Sequence, residues 1–133
     1  MRMQESHVSE IADDNEKGVP AASLRLSGEF SEWLFATGFW RGVNAKCGTM
    51  FDQYEEDEAT ATMAQLIAAS LGDKARELGS FGEGTVEFIR GWTAAGAPLK
   101  ASVSKHGLLA ELIQLQELLT GAAERGHRVR FSL

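Results

Sequence analysis

Apolar positions recur along this chain with two periods, and the periods predict its elements. In "AASLRLSGE", Leu24 and Leu26 alternate with polar neighbours, which predicts a strand. In the next stretch, "FSEWLFATGFWRG", Phe30, Trp33 and Leu34 have helical i, i+3, i+4 spacing and Ser31 is a candidate cap. The same letters suit a buried strand, so the segment stays ambiguous, leaning towards a short helix or turn. Met63, Leu66, Ile67 and Leu71 form one stripe that Ala64 and Ala68 widen. This predicts a helix over 60–71, capped by Thr60 or Thr62. Gly72 permits a stop or a kink, and "DKAREL" has room for one more turn before Gly79.

"TVEFIRGWTAAGAPLKASVS" reads as a β-hairpin. Val86, Phe88 and Trp92 alternate, with Arg90 breaking the pattern, and Leu99, Ala101 and Val103 alternate more cleanly. "AAGAP" between them supplies turn chemistry through Gly96 and Pro98. Ser104 caps the longest predicted helix, over 105–125, with the stripe Leu108, Leu109, Leu112, Leu115, Leu118, Leu119 and Ala122. Gly126 is placed to end it, and Arg125 suits its last turn. "HRVRFSL" closes the chain as a strand, with Val129, Phe131 and Leu133 on one face and Arg128 and Arg130 on the other.

Residues 1–20 are polar, acidic and poor in aromatics, so they read as a flexible tail before a single domain over 21–133. The element order is mixed without strict βαβ alternation. It predicts an α+β domain: a small, mostly antiparallel sheet with two main helices packed on one face.

Composition narrows the function classes. The chain has 133 residues, enough for one domain with a core of its own. A formal net charge of −6 argues against nucleic acid or an anionic membrane as the main ligand, because phosphate binding needs a basic face. Cys47 is the single cysteine, so no intrachain disulfide forms and a reducing, cytoplasmic setting fits. The N-terminal stretch lacks a signal-peptide core, and no window approaches the roughly eighteen apolar residues of a spanning helix.

The sharpest local feature is "FDQYEEDE". Asp52, Glu55, Glu56, Asp57 and Glu58 fall within seven residues, with no Lys or Arg among them. Paired carboxylates perform acid–base chemistry when burial separates their pKa values, but five acids without apolar cover read as solvated. The run lacks EF-hand spacing and a nearby histidine, so no metal site is expected. Two readings remain: the solvated start of the following helix, and a docking patch for a basic protein. Phe51 and Tyr54 sit inside the run, and Trp40 in "GFWRG" lies between glycines as a candidate for partial exposure. An aromatic anchors while charges steer. The expected partner-binding set is therefore Trp40, Phe51, Asp52, Tyr54, Glu55, Glu56, Asp57 and Glu58. Trp33 and Trp92 read as core.

No catalytic set assembles in the sequence. His7, His106 and His127 are scattered and read as ordinary surface residues, and Cys47 has no nucleophile context. "GSFGEG" follows a helix and precedes a strand, the reverse of a phosphate cradle. No catalytic residue and no cofactor is expected.

The order of segments, "FW…N…CGTMFDQYEEDE" before an amphipathic helix, and the closing "LLAELIQLQELLTGAAERGHRVRFSL" resemble the small acidic immunity proteins with which bacteria neutralise their own toxins. The resemblance implies no catalysis, a tight protein partner, and an acidic or aromatic face that occludes a toxin active site. Two other classes stay open: a small-molecule-binding domain or small enzyme with a pocket between sheet and helices, and an oligomerisation module that pairs through the C-terminal strand.

Overall fold

The computed structural model describes residues 6–11, 22–52, 55–80, 82 and 84–133. They form an α+β domain with antiparallel sheets. The first element corrects the expected tail over residues 6–11; residues 1–5 and 12–20 of that expectation lie outside the described residues. Ser6–Ile11 is a strand, β1, that pairs antiparallel with both β2 (Ala22–Leu26) and β6 (Arg128–Ser132). Its pattern is short and interrupted by polar residues, but the pleat turns Ser6, Val8 and Glu10 into the core while His7 stays exposed. The domain thus begins well before residue 21.

The main sheet has the order β2-β1-β6-β3, where β3 is Glu56–Ala59. On its inner face Val8 lies opposite Leu24 and Phe131, and Ala59 lies opposite Val129. His7, Ser9, Arg25, Arg128 and Arg130 occupy the other face. That is the polar alternation of a sheet covered on one side.

α1 (Gly28–Ala36) and α2 (Phe39–Cys47) resolve the ambiguous segment as two short helices. Gly38, with φ +76°, breaks them apart, a conformation that costs glycine little. The cap of α1 is Ser27 and not Ser31, which is buried inside the helix. The Ser27 hydroxyl accepts from the Phe30 amide at 3.2 Å and donates to Glu111 Oε2 at 2.7 Å. The Ser27 amide donates to the other oxygen of Glu111 at 2.8 Å, so α4 holds the start of α1.

α3 (Ala61–Gly79) and α4 (Lys105–Glu124) are the two main helices, and they share the most extensive contact between any two elements. Thr60 and Ser104 cap them, each accepting from the amide three residues on. Ile67 and Leu71 of α3, and Leu108, Leu112, Leu115, Leu119 and Ala122 of α4, are buried as their spacing predicts; Leu66 is exposed. α3 runs through Gly72 without a break. Gly72 serves a close approach instead, because a Cβ there would meet Gln116 Nε2 of α4 at 2.9 Å. That amide donates to the Ala68 carbonyl at 3.1 Å.

β4 (Thr85–Trp92) and β5 (Pro98–Ser104) form the predicted hairpin as a separate two-stranded sheet. The register shifts between Ile89 and Gly91, so Arg90 is the irregular residue there. Arg90 reaches Glu32 of α1 at 3.0 Å and pins the hairpin to the helix layer. Beyond the shift Trp92 is 63% exposed, which corrects its reading as core.

Candidate functional site

The acidic run does not begin a helix. Residues 56–59 form β3, the strand at the β3 end of the main sheet, and α3 starts only after Thr60. Acids are poor strand formers, so the cause is tertiary. β6 supplies the ladder partners, and the Leu133 amide donates to the Glu55 carbonyl at 2.9 Å, which extends the pairing. β6 also supplies charge: Arg128 Nη1 lies 2.9 Å from Glu58 Oε1, and Arg130 Nε lies 3.2 Å from Glu56 Oε1. Opposite charges on neighbouring strands stabilise a sheet.

The expected partner-binding residues therefore separate into three groups. Asp52, Glu55, Glu56, Asp57 and Glu58 are exposed. Of these, Glu56 and Glu58 have counter-ions, while Glu55 and Asp57 have none among the described residues. Tyr54 lies outside the described residues. Trp40 and Phe51 are buried, at 2% and 3% exposure, and this corrects their reading as surface anchors.

Both belong to an aromatic cluster beneath the acidic edge. The ring centroids of Trp40, Phe51 and Phe131 lie 5.1–5.4 Å apart, and Phe39 packs edge-on to Trp40 at 5.2 Å. Such tilted and T-shaped pairs suit the aromatic quadrupole. Asn44 of α2 ties down the loop that carries Phe51. Its Nδ2 donates to the Phe51 carbonyl, and its Oδ1 accepts from the Phe51 amide and the Thr49 hydroxyl, all within 2.8–2.9 Å. Met50, between these anchored residues, is 80% exposed. A wide recess of about 450 Å³ opens here, lined by Phe35, Arg41, Met50 and Asp52 among others.

Two further constellations escaped sequence reasoning. The first is a buried carboxylate. Glu10, on the inner face of β1, accepts from Arg125 Nε at 2.6 Å and Arg125 Nη2 at 2.7 Å. His127 Nδ1 lies 2.8 Å from Glu10 Oε1 and carries the proton, because an ionised carboxylate only accepts. The Arg125 hydrogen bonds, and after them His127, hold the Glu10 carboxyl below its ordinary value against the opposing effect of burial. The turn that ends α4 delivers both partners, with Gly126 at φ +70° between them. His127 is thus a structural partner and not a free surface histidine. Both carboxylate oxygens are engaged, which fits a tie between β1 and the α4–β6 connection rather than a reactive acid. The only sequence sign was the short basic string "ERGHR" after a long helix.

The second is a recess between α1, α3 and β4, of about 200 Å³, lined by Trp33, Thr37, Lys74, Glu77, Leu78 and Val86. Lys74 Nζ lies 4.9 Å from the Trp33 ring centroid, within cation–π range. No signal in the sequence joined residues 33, 74 and 86, because they lie on three separate elements.

Among the described residues no group of three His, Cys, Asp or Glu side chains gathers as a metal-holding set, and no helix is long and apolar enough to cross a membrane. No family model, curated protein or solved structure matches the chain.

Proposed function

We propose that this domain is a non-catalytic protein-binding module that docks a basic protein surface on β3, and that it acts in the bacterial cytoplasm as an immunity protein against a toxin domain. The observation that carries this reading is the exposure of residues 55–58 along a strand at the end of the sheet. An edge strand offers backbone donors and acceptors to a partner. Acidic side chains on that edge discourage pairing with another copy of itself and steer a cationic surface towards it. Arg128 and Arg130 hold Glu58 and Glu56 in fixed positions, while Glu55 and Asp57 are available to a partner's Lys or Arg. Met50, exposed beside the run, supplies an adaptable apolar contact in place of the buried aromatics.

The test begins with affinity capture from the source organism and with the product of any toxin gene adjacent to this one. Purified partner is then bound to wild-type protein and to a variant with Glu55→Gln, Glu56→Gln, Asp57→Asn and Glu58→Gln. Steering by exposed charge acts over a Debye length of ~8 Å at physiological ionic strength, so the variant is expected to associate more slowly and with flatter salt dependence. Association at the wild-type rate across salt concentrations places the interface elsewhere. Co-expression separates the narrower claim: an immunity protein restores growth to cells that make the toxin domain.

A further inference from the structure

We propose that the recess between α1, α3 and β4 binds a small zwitterion, an α-amino acid with an apolar side chain, with its carboxylate on Lys74 and its ammonium on Glu77. The site is independent of the acidic edge. Lys74 stands fourteen residues beyond Thr60, roughly 20 Å along α3 from the end of β3.

Three observations carry the assignment. The first is an ammonium without an anion. Lys74 is partly buried and makes no ion pair or hydrogen bond among the described residues; its one specific contact is the Trp33 ring at 4.9 Å. Burying a charge is costly unless it is paired, and the ring face offsets only part of that cost. Burial accordingly pushes the Lys74 ammonium below the usual lysine range, and Glu77 acts in the opposite direction. The second is a carboxylate in the same place. Glu77 follows Lys74 by three residues and so shares its side of α3, yet the two are not paired with each other, and the Glu77 carboxylate bonds nothing among the described residues. The third is the shape of the wall. Leu78, Val86 and Trp33 form an apolar lining beside this separated charge pair. A second recess of about 210 Å³, lined by Gly38, Gly42, Lys46, Ser70 and Asp73, shares Lys74 and Glu77, so the two charges stand between two hollows.

These features select the ligand class. A simple anion on Lys74 meets the field of Glu77, while Asp73 is paired with Arg76. A simple cation on Glu77 meets Lys74 and Lys46. A zwitterion satisfies both groups at once, and its apolar side chain covers Leu78 and Val86.

The test follows the Trp33 indole N–H and the α3 amides of the full chain by NMR while L-leucine is added. 4-Methylpentanoate, which lacks the ammonium, and 3-methylbutylamine, which lacks the carboxylate, are added in parallel. Leucine is expected to shift these resonances saturably. Each half-analogue is expected to bind about tenfold more weakly, the usual effect of losing one charge-assisted hydrogen bond. Lys74→Met, which keeps the apolar stem, is expected to weaken leucine about tenfold, as loss of the ligand carboxylate does, and to leave 3-methylbutylamine no weaker. Glu77→Gln, at an exposed position that leaves the fold intact, is expected to weaken leucine and to tighten 4-methylpentanoate. Absence of any leucine shift up to its solubility overturns the proposal, as does a half-analogue that binds as tightly as leucine. If Lys74→Met fails to fold, Glu77→Gln decides alone: unchanged preference between leucine and 4-methylpentanoate overturns the assignment. Neutralising residues 55–58 is expected to leave leucine binding unchanged, which keeps this test distinct from that of the docking edge.

Discussion

Glu10 sits on the inner face of β1 with 1% of its surface exposed, and hydrogen bonds from Arg125 and His127 occupy both of its oxygens. Its carboxyl is held below the ordinary value of 4.5, first by the Arg125 guanidinium. A depressed folded-state value stabilises the fold above the unfolded carboxyl value, and the contribution is lost as pH falls through the folded-state value. The urea midpoint is therefore expected to drop as pH falls below about 4.5, and Glu10→Gln is expected to lower the midpoint at neutral pH and flatten that acid limb. Arg125→Ala is expected to move the acid limb to higher pH; a limb unchanged in both variants shows that the pair does not couple to folding. The aromatic residues carry a second prediction. Trp40→Ala removes the ring at the centre of the cluster with Phe51 and Phe131 and is expected to cost about 3–5 kcal/mol in chemical denaturation. A change below about half a kilocalorie would return Trp40 to the surface. Single residues were the least legible level of the sequence. "GFWRG" and "FDQY" show aromatics beside glycines and acids, but which way each ring turns depends on Asn44 anchoring the Phe51 loop and on Phe131 arriving from the other end of the chain.

The long elements followed their periodicity. α4 shows its leucine stripe, its Ser104 cap and the stop before Gly126, and β6 turns Val129 and Phe131 inward as alternation requires. Leu115→Ala, at a fully buried position, is expected to cost ~2–5 kcal/mol, whereas Ile113→Ala, half exposed on the same helix, is expected to stay within about 0.5 kcal/mol. Equal effects at the two sites would show that α4 buries a different face. α3 ran further than expected because Gly72 in mid-helix weakens a helix by only about 1 kcal/mol, and packing on α4 through Gln116 outweighs that. Short elements failed for the same reason in reverse. Four residues, three of them acidic, or six mixed ones give no period to read, so β3 and β1 are strands because they pair with β6, and β1 also with β2.

For the whole molecule, β1 is the strand that joins β2 to the rest of the sheet. Deleting residues 1–11 removes the ladder partner of β2, the buried Val8 and Ile11, and the carboxylate that holds Arg125 and His127. The truncated chain is expected to lose cooperative unfolding and hydrogen-exchange protection in β2 and β6; a melting temperature within a few degrees of the full chain would show that β1 is dispensable. From the sequence alone came the α+β class, the two main helices with their caps, the hairpin, the final strand and the acidic run, because each rests on periodicity or turn chemistry within one segment. Only the tertiary structure decided that residues 6–11 are a sheet strand, that residues 56–59 are a strand at the end of the sheet with arginine counter-ions, that Trp40 and Phe51 are core while Trp92 is not, and that Lys74 meets Trp33. Each of those outcomes depends on residues far apart in the chain, and local preferences worth a few tenths of a kilocalorie per residue yield to burial and pairing worth about one to three.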